Sequence, residues 1–146
     1  MQTTTFILAS LLMGAMLSIY LPMNSAVSRY LESAIAANIT FFFVALISSM
    51  IIFAVWGEFK TIKKIGDVPF WLYLTGVFSA FMILGTTYLI PKIGMRQFFI
   101  LTITGQILTA IVLSHYGFLG MPKDPISVKK LIGAVLVVFG AIFSTI

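Results

Sequence analysis

The 146-residue sequence contains no cysteine and few charged side chains. The absence of cysteine excludes disulfides, thiolate chemistry and cysteine-based metal sites. Charged residues make up 9% of the chain, whereas they make up about a quarter of a soluble domain. Only four residues are acidic, and no carboxylate falls in the middle of an apolar run, so neither intramembrane hydrolysis nor a mid-span cation site has candidate residues. Hydrophobic residues account for 60% of the chain.

Five long apolar runs fill almost the whole sequence. Each is close to the roughly 20 residues that a membrane-spanning helix needs, and the connections between them are too short to form a core of their own. The sequence predicts an all-α integral membrane protein with one transmembrane domain over residues 1–146. The first run starts without a positive residue and lacks a small-residue cleavage site, so we interpret it as a retained span. The predicted spans are approximately 4–30 with a kink at Pro22, 34–56, 70–90, 94–113 and 129–146.

The basic residues lie between the apolar runs, as is usual in membrane proteins, and form no patch suited to nucleic acid. Six lie on the N-terminal side of the predicted membrane and three on the other, which favours a cytoplasmic N-terminus. The bias is modest, so insertion in both orientations stays open. The six are Lys60, Lys63, Lys64, Lys123, Lys129 and Lys130, and the three are Arg29, Lys92 and Arg96.

A polar stripe marks the middle of the fourth run. Thr102, Gly105, Gln106 and Thr109 follow the i, i+3, i+4, i+7 spacing of one helix face. A primary amide in hydrocarbon is costly unless it is hydrogen-bonded, so this face should meet other helices, trapped water or a ligand. Contact between helices and contact with a substrate both explain the pattern.

Asn24 is the second polar feature, directly after a proline in the first run. Pro22 removes one helical hydrogen bond and frees a backbone carbonyl, and Asn24 and Ser25 follow it. The amide of Asn24 either satisfies carbonyls at this kink or contacts a substrate. Ser79, on a mildly polar face of the third run with Thr75 and Thr86, has the same two explanations. Asn38, early in the second run, is interpreted as an interface residue.

Arg29 and Glu32 end the first run at a spacing of three residues, which predicts an ion pair at the headgroup level. Glu32 is also the candidate carboxylate for proton coupling, with Arg29 as its partner. His115 is interpreted as an interface residue. No metal-ligand cluster, catalytic Ser/His/Asp set or phosphate-binding glycine motif is present, so we expect neither an enzyme nor a bound cofactor or metal.

Several motifs, in the same order along nearly the whole chain, resemble the YdcZ-type family, also called DUF606, of the drug/metabolite transporter superfamily. The most specific are Gly105-Gln106 and the segment from His115 to Pro122. The resemblance implies a five-span protein of the bacterial inner membrane that works as an antiparallel dimer and has a transport role. Ser114 departs from the aspartate that is common in the family before the His-aromatic-Gly segment, so a carboxylate has no role there. The remaining motifs that carry the resemblance are Asn24-Ser25-Ala26 with Arg29, Phe70-Trp71, Pro91-Lys92-Ile93-Gly94 and Pro125-Ile126-Ser127.

Together these features predict a secondary-active transporter that works by alternating access across an inverted pair of protomers. The expected partners are a small-molecule substrate, membrane lipid and a second protomer in the opposite orientation, with a homodimer favoured over a paired homologue. The substrate-binding residues are predicted to be Asn24, Ser79, Thr102, Gly105, Gln106 and Thr109, which suit a neutral, zwitterionic or amphipathic metabolite. The competing hypothesis is a non-transporting membrane subunit or lipid-interacting scaffold.

Overall fold

The computed structural model describes residues 2–120 and 122–145, and its regular structure is entirely helical. Five long apolar α-helices confirm the predicted all-helical class, and each is long and apolar enough to cross a membrane. The third helix was expected to stop before Pro91, but it includes this proline and ends at Ile93. The α-helices are α1 (Gln2–Tyr30), α2 (Ala34–Trp56), α3 (Leu74–Ile93), α4 (Met95–Tyr116) and α5 (Val128–Thr145).

The helix ends follow local sequence signals. Ser33 caps α2 by accepting a hydrogen bond from the Ala36 amide at 3.2 Å, which satisfies one of the free N–H groups of the first turn. Gly94 separates α3 from α4 with a positive φ of 83°, and Gly117 ends α4 in the left-handed conformation with its amide bonded to Leu113 and Ser114. Both positions need glycine because other residues rarely adopt such backbone angles.

The chain divides into two compact units. The first extends from Met1 to Lys92 and the second from Ile93 to Ile146. In the first unit α1 packs against α2, and hydrogen bonds join α1 to α3. In the second unit α4 packs against α5, and the Gln97 side chain donates to the Thr145 carbonyl at 3.3 Å.

The loop after α2 is a 3₁₀-helix over Phe59–Asp67. A 3₁₀-helix has three residues per turn, so side chains three apart lie above one another. Phe59, Ile62 and Ile65 therefore form one exposed apolar row, and Lys60 and Lys63 form the next. The sequence predicted no helix between the spans 34–56 and 70–90, because the apolar residues in this connection repeat with a period of three and match neither an α-helix nor a strand.

The predicted Arg29–Glu32 ion pair is absent among the described residues, where the ion pair observed joins Lys130 to Asp124. Helix α1 ends at Tyr30, and Glu32 has a left-handed backbone with φ of 51°. The spacing of three residues brings two side chains together only when both lie in the helix. Since Glu32 lies beyond its end, the prediction was wrong for this geometric reason.

Candidate substrate site

The interior of the first unit is unusually polar. Of its eight buried residues among those that the structure describes, four carry polar side chains. All four belong to α1 or α3, and they are adjacent pairs in the sequence. Buried polar groups persist in apolar surroundings only when they are hydrogen-bonded. The four are Asn24, Ser25, Thr86 and Thr87.

Asn24 and Thr87 form the central contact between these helices. The amide nitrogen of Asn24 donates to the hydroxyl of Thr87 at 2.7 Å. That hydroxyl donates in turn to the carbonyl of Ile83, one turn earlier in α3, at 2.8 Å. Because the hydroxyl has one proton, which it gives to Ile83, it can only accept from Asn24. The amide group is therefore oriented with its nitrogen toward Thr87, and its oxygen is left for another partner.

Pro91 explains the second contact between α1 and α3. A proline in a helix has no N–H, so the carbonyl four residues earlier, at Thr87, loses its helical donor. The Ser25 hydroxyl, facing this carbonyl from α1, lies 3.4 Å from it and donates to it. Ser25 thus binds at a break in α3 and Asn24 binds the Thr87 side chain beside it. One of the two explanations drawn from the sequence had instead placed the Asn24 amide at the carbonyls freed by Pro22 in its own helix.

A groove of about 550 Å³ runs between α1 and α2, and Asn24 lies in its wall. Its lining is mostly apolar and includes the stacked rings of Tyr20 and Phe41, whose centroids are 5.9 Å apart. Thr40 and Ser48 supply two hydroxyl groups on the α2 side. A volume of several hundred Å³ with an apolar wall and a few polar groups is typical of small-molecule sites.

The polar stripe of the fourth run lies on α4, in the second unit. Gly105, Gln106 and Thr109 are exposed and Thr102 is half-buried. Thr104, which is not part of the stripe, donates its hydroxyl proton to the Ile100 carbonyl at 2.7 Å. In the protomer, within the described residues, the Gln106 amide forms no hydrogen bond.

Ser79 lies apart from the Asn24 cluster. It is exposed near the start of α3 and borders a shallow depression with Thr75, Phe78 and Met82. The buried part of α3 begins only at Ile83. The face predicted from Thr75, Ser79 and Thr86 is therefore divided, because Thr86 is buried and the other two are not.

A comparison with protein-family models identifies the relatives of this chain. Residues 5–143 match the model of the family described as "Putative inner membrane exporter, YdcZ", within the drug/metabolite transporters. The chain belongs to the YdcZ family. This confirms the resemblance drawn from the sequence motifs and assigns the protein to the inner membrane. Searches of curated proteins and of solved structures returned no similar chain.

The YdcZ family is described as one of inner membrane exporters and is not an enzyme family, and the polar cluster lies in a chain of that family. Among the described residues, no group of His, Cys, Asp or Glu is arranged to hold a metal ion. The YdcZ motif around His115 has a structural explanation in the protomer: the ring nitrogen Nδ1 accepts from the Ile126 amide at 3.1 Å. His115 thereby holds the connection from α4 to α5.

Sequence reasoning missed Thr87, the residue that binds both buried polar side chains of α1 in this YdcZ chain. One signal was available, because Thr87 lies four residues before Pro91 and its carbonyl is the one that the proline frees.

The surroundings of Asn38 could also not be predicted from the sequence. Its side-chain oxygen is buried and has no hydrogen-bond donor among the described residues, in a groove that α2 forms with α3 beside Gly76 and Ala80.

Proposed function

We propose that this YdcZ-family protein is a secondary-active transporter of a neutral, zwitterionic or amphipathic small molecule. It acts as one transmembrane domain and works by alternating access across an antiparallel dimer. Asn24 and Gln106 provide hydrogen-bonding groups for the substrate, and Ser79, Thr102, Gly105 and Thr109 complete the set. The observation that carries the proposal is the buried polar cluster around Asn24 in the wall of an apolar groove.

The geometry of Asn24 supports a role in binding. Its nitrogen is engaged by Thr87, which fixes the amide plane, and its oxygen is not engaged by any described residue. A polar group held in one orientation by a second hydrogen bond is prepared for recognition, because its ligand need not spend free energy on ordering it. Intramembrane polar groups of this kind mark substrate pathways in transporters.

The exposed amide of Gln106 supports the dimer. Primary amides rarely face acyl chains, because their donors and acceptor then have no partners. In the described protomer Gln106 is exposed and forms no hydrogen bond, so a second protomer or a solute is needed to satisfy it. An inverted pair supplies the two-fold axis in the membrane plane on which alternating access relies.

Transport by purified protein in liposomes tests the proposal. A panel of neutral and zwitterionic metabolites identifies a substrate, and flux is then compared for Asn24→Ala, Gln106→Ala and a control, Ser49→Ala. Ser49 is exposed and donates only to the Ala45 carbonyl in its own helix. We expect flux to fall about tenfold or more in the first two variants, as for the loss of one or two hydrogen bonds to a ligand, and to stay unchanged in the control. Undiminished flux in both would remove these residues from the site.

Glu32 and Arg29 are the proposed coupling residues. Glu32 is exposed just beyond α1, where its carboxylate is accessible to protons from one side of the membrane. In the same liposomes, Glu32→Gln should abolish the dependence of flux on an imposed proton gradient while downhill exchange continues. An unchanged dependence on the gradient would assign coupling to another group.

One observation favours the competing scaffold hypothesis. The Asn24 nitrogen is committed to α3, and this contact between helices is a structural role by itself. A scaffold predicts that no member of the metabolite panel crosses the liposome membrane faster with protein than without it. The flux measurement therefore separates the two hypotheses before any variant is made.

A further inference from the structure

The groove between α1 and α2 has an uneven supply of hydrogen-bonding groups. Its polar members are Tyr20, Asn24, Thr40 and Ser48, and none of its lining residues is charged. Which of their protons are already used decides what kind of ligand fits. Each hydroxyl has one proton to donate, and each amide has two.

Both hydroxyl groups on the α2 side have given their protons to the helix backbone. Thr40 donates to the Ala37 carbonyl at 2.9 Å, and Ser48 donates to the Val44 carbonyl at 2.8 Å. Such bonds to the preceding turn are the usual choice for hydroxyl groups in a transmembrane helix. Each oxygen then has only lone pairs left for a further hydrogen bond.

Asn24 adds a third acceptor from the α1 side. Its nitrogen is bound by Thr87, which can only accept, so the amide cannot turn over without losing that bond. The carbonyl oxygen remains. Tyr20 has the one hydroxyl proton in the groove that no described residue accepts, and its ring stacks on Phe41 with an interplanar angle of 25°.

These groups exclude several ligand classes. An anion would meet three acceptors and a single donor, so it would lose its hydration without replacement. A cation would enter apolar surroundings without a carboxylate partner, which is costly in the membrane. An uncharged molecule that donates hydrogen bonds meets three acceptors in one apolar groove, and a flat ring can lie against the Tyr20–Phe41 pair.

We propose that the groove between α1 and α2 binds an uncharged, ring-containing amphiphile through hydrogen bonds that the ligand donates to Asn24, Thr40 and Ser48. This rests on the proposed transport function, for which it specifies the substrate class. The ligand keeps its proton and forms no covalent bond. Its apolar body is enclosed by side chains such as Met23, Val27 and Val44.

Matched probes test the requirement for a donor. 2-Naphthol and 2-methoxynaphthalene share one ring system and differ in the hydroxyl proton, and 2-naphthoate adds a negative charge. Their binding to the full chain in lipid nanodiscs is measured by probe fluorescence, with empty nanodiscs subtracted. We expect 2-naphthol to bind about three- to tenfold more tightly than its methyl ether, the usual effect of one hydrogen bond, and 2-naphthoate to bind least.

A double variant tests the acceptors of α2. Thr40→Val with Ser48→Ala removes two of the three oxygens without touching the backbone hydrogen bonds of α2, so the preference for naphthol should fall, and the Asn24 oxygen is the acceptor that remains. Ser49→Ala is the matched control, because Ser49 has the same kind of bond, to Ala45 at 2.8 Å, and is not among the lining residues. It should leave the preference unchanged.

Other results would overturn the inference. Equal binding of naphthol and its ether, tightest binding of naphthoate, an equal effect of Ser49→Ala, or no saturable signal above empty nanodiscs would each do so. The last outcome would mean that lipid or a second protomer occupies the groove. Binding is measured without transport, so the two proposals can fail separately. Selective binding with no flux of any solute would refute the transport function and support the groove as a binding site. Flux without selective binding would support the transport function and refute this ligand class for the groove.

Discussion

At the scale of single residues, one threonine connects the polar groups of two helices. Thr87 accepts from Asn24 through its side chain and from Ser25 through its backbone. Its neighbour Thr86 is equally buried and donates to Met82 at 2.7 Å, but forms no hydrogen bond to another helix among the described residues. Both threonines are buried in α3 and donate to the carbonyl four residues earlier, so they differ mainly in the contact with another helix.

This difference predicts unequal effects on stability. Thr87→Val should lower the free energy of unfolding by about 1 kcal/mol more than Thr86→Val, the usual size of a hydrogen bond between transmembrane helices. Unfolding in mixed detergent micelles, followed by circular dichroism, measures both. Equal losses would mean that the bond to Asn24 contributes nothing.

Asn24 and Asn38 form a second informative pair of residues. The side-chain nitrogen of Asn24 is bonded, whereas the buried oxygen of Asn38 has no donor among the described residues. Removing an unsatisfied polar group is neutral or stabilising, and removing one partner of a buried bond is not. Asn38→Leu should leave the free energy of unfolding unchanged or higher, and Asn24→Leu should lower it by about 1 kcal/mol. A matching loss in Asn38→Leu would reveal a donor from outside the protomer.

The partners of single polar residues could not be predicted from the sequence pattern. The place of Asn24 after Pro22 and the helical spacing of the Gln106 stripe identified both as polar features, but neither signal gives the neighbour that a side chain meets. The partner of Asn24 lies 63 positions later in the chain. Arg29 and Glu32 failed for the opposite reason, since the spacing was correct and the helix stopped between them.

At the scale of elements, the apolar runs were sufficient to predict all five long helices, because backbone groups in lipid must be satisfied within the segment. The ends were harder to predict. Pro91 was predicted to end the third helix, but α3 continues through it to Ile93. The hydroxyl of Ser25 in α1 donates to the Thr87 carbonyl in place of the N–H that proline lacks. The 3₁₀-helix over Phe59–Asp67 was missed because its period of three has no place among the usual amphipathic patterns.

We predict that this 3₁₀-helix lies along the membrane surface. We expect its apolar row to face acyl chains and its lysine row to face headgroups and water. The chain has no native cysteine, so Ile62→Cys and Lys63→Cys each carry a single spin label without background. We expect the label at 62 to be relaxed mainly by oxygen dissolved in lipid and the label at 63 mainly by an aqueous nickel chelate. Identical accessibilities would contradict the surface orientation.

At the scale of the whole molecule, the number of spans determines how the proposed dimer can be detected. Five membrane crossings, as proposed for the five candidate helices, put the two ends of the chain on opposite sides of the membrane, and an inverted pair then presents each loop on both sides. The modest excess of lysines on one side is compatible with insertion in both orientations.

Vesicle labelling tests this arrangement. With Lys63→Cys in sealed inner-membrane vesicles, a membrane-impermeant maleimide should label about half of the protein from either face, as two opposite orientations require. Vesicles permeabilised with detergent give the total. Labelling that is complete from one face and absent from the other would establish a single orientation and exclude the antiparallel homodimer.

The carbonyl that Pro91 releases has a consequence for movement. Most backbone acceptors in a membrane helix are permanently occupied by their own turn, but the one at Thr87 is held by a neighbour's hydroxyl at the long distance of 3.4 Å. Exchanging that hydroxyl for a water molecule breaks no helical turn. We therefore expect the contact between Ser25 and Thr87 to open more readily than the Asn24–Thr87 bond of 2.7 Å beside it.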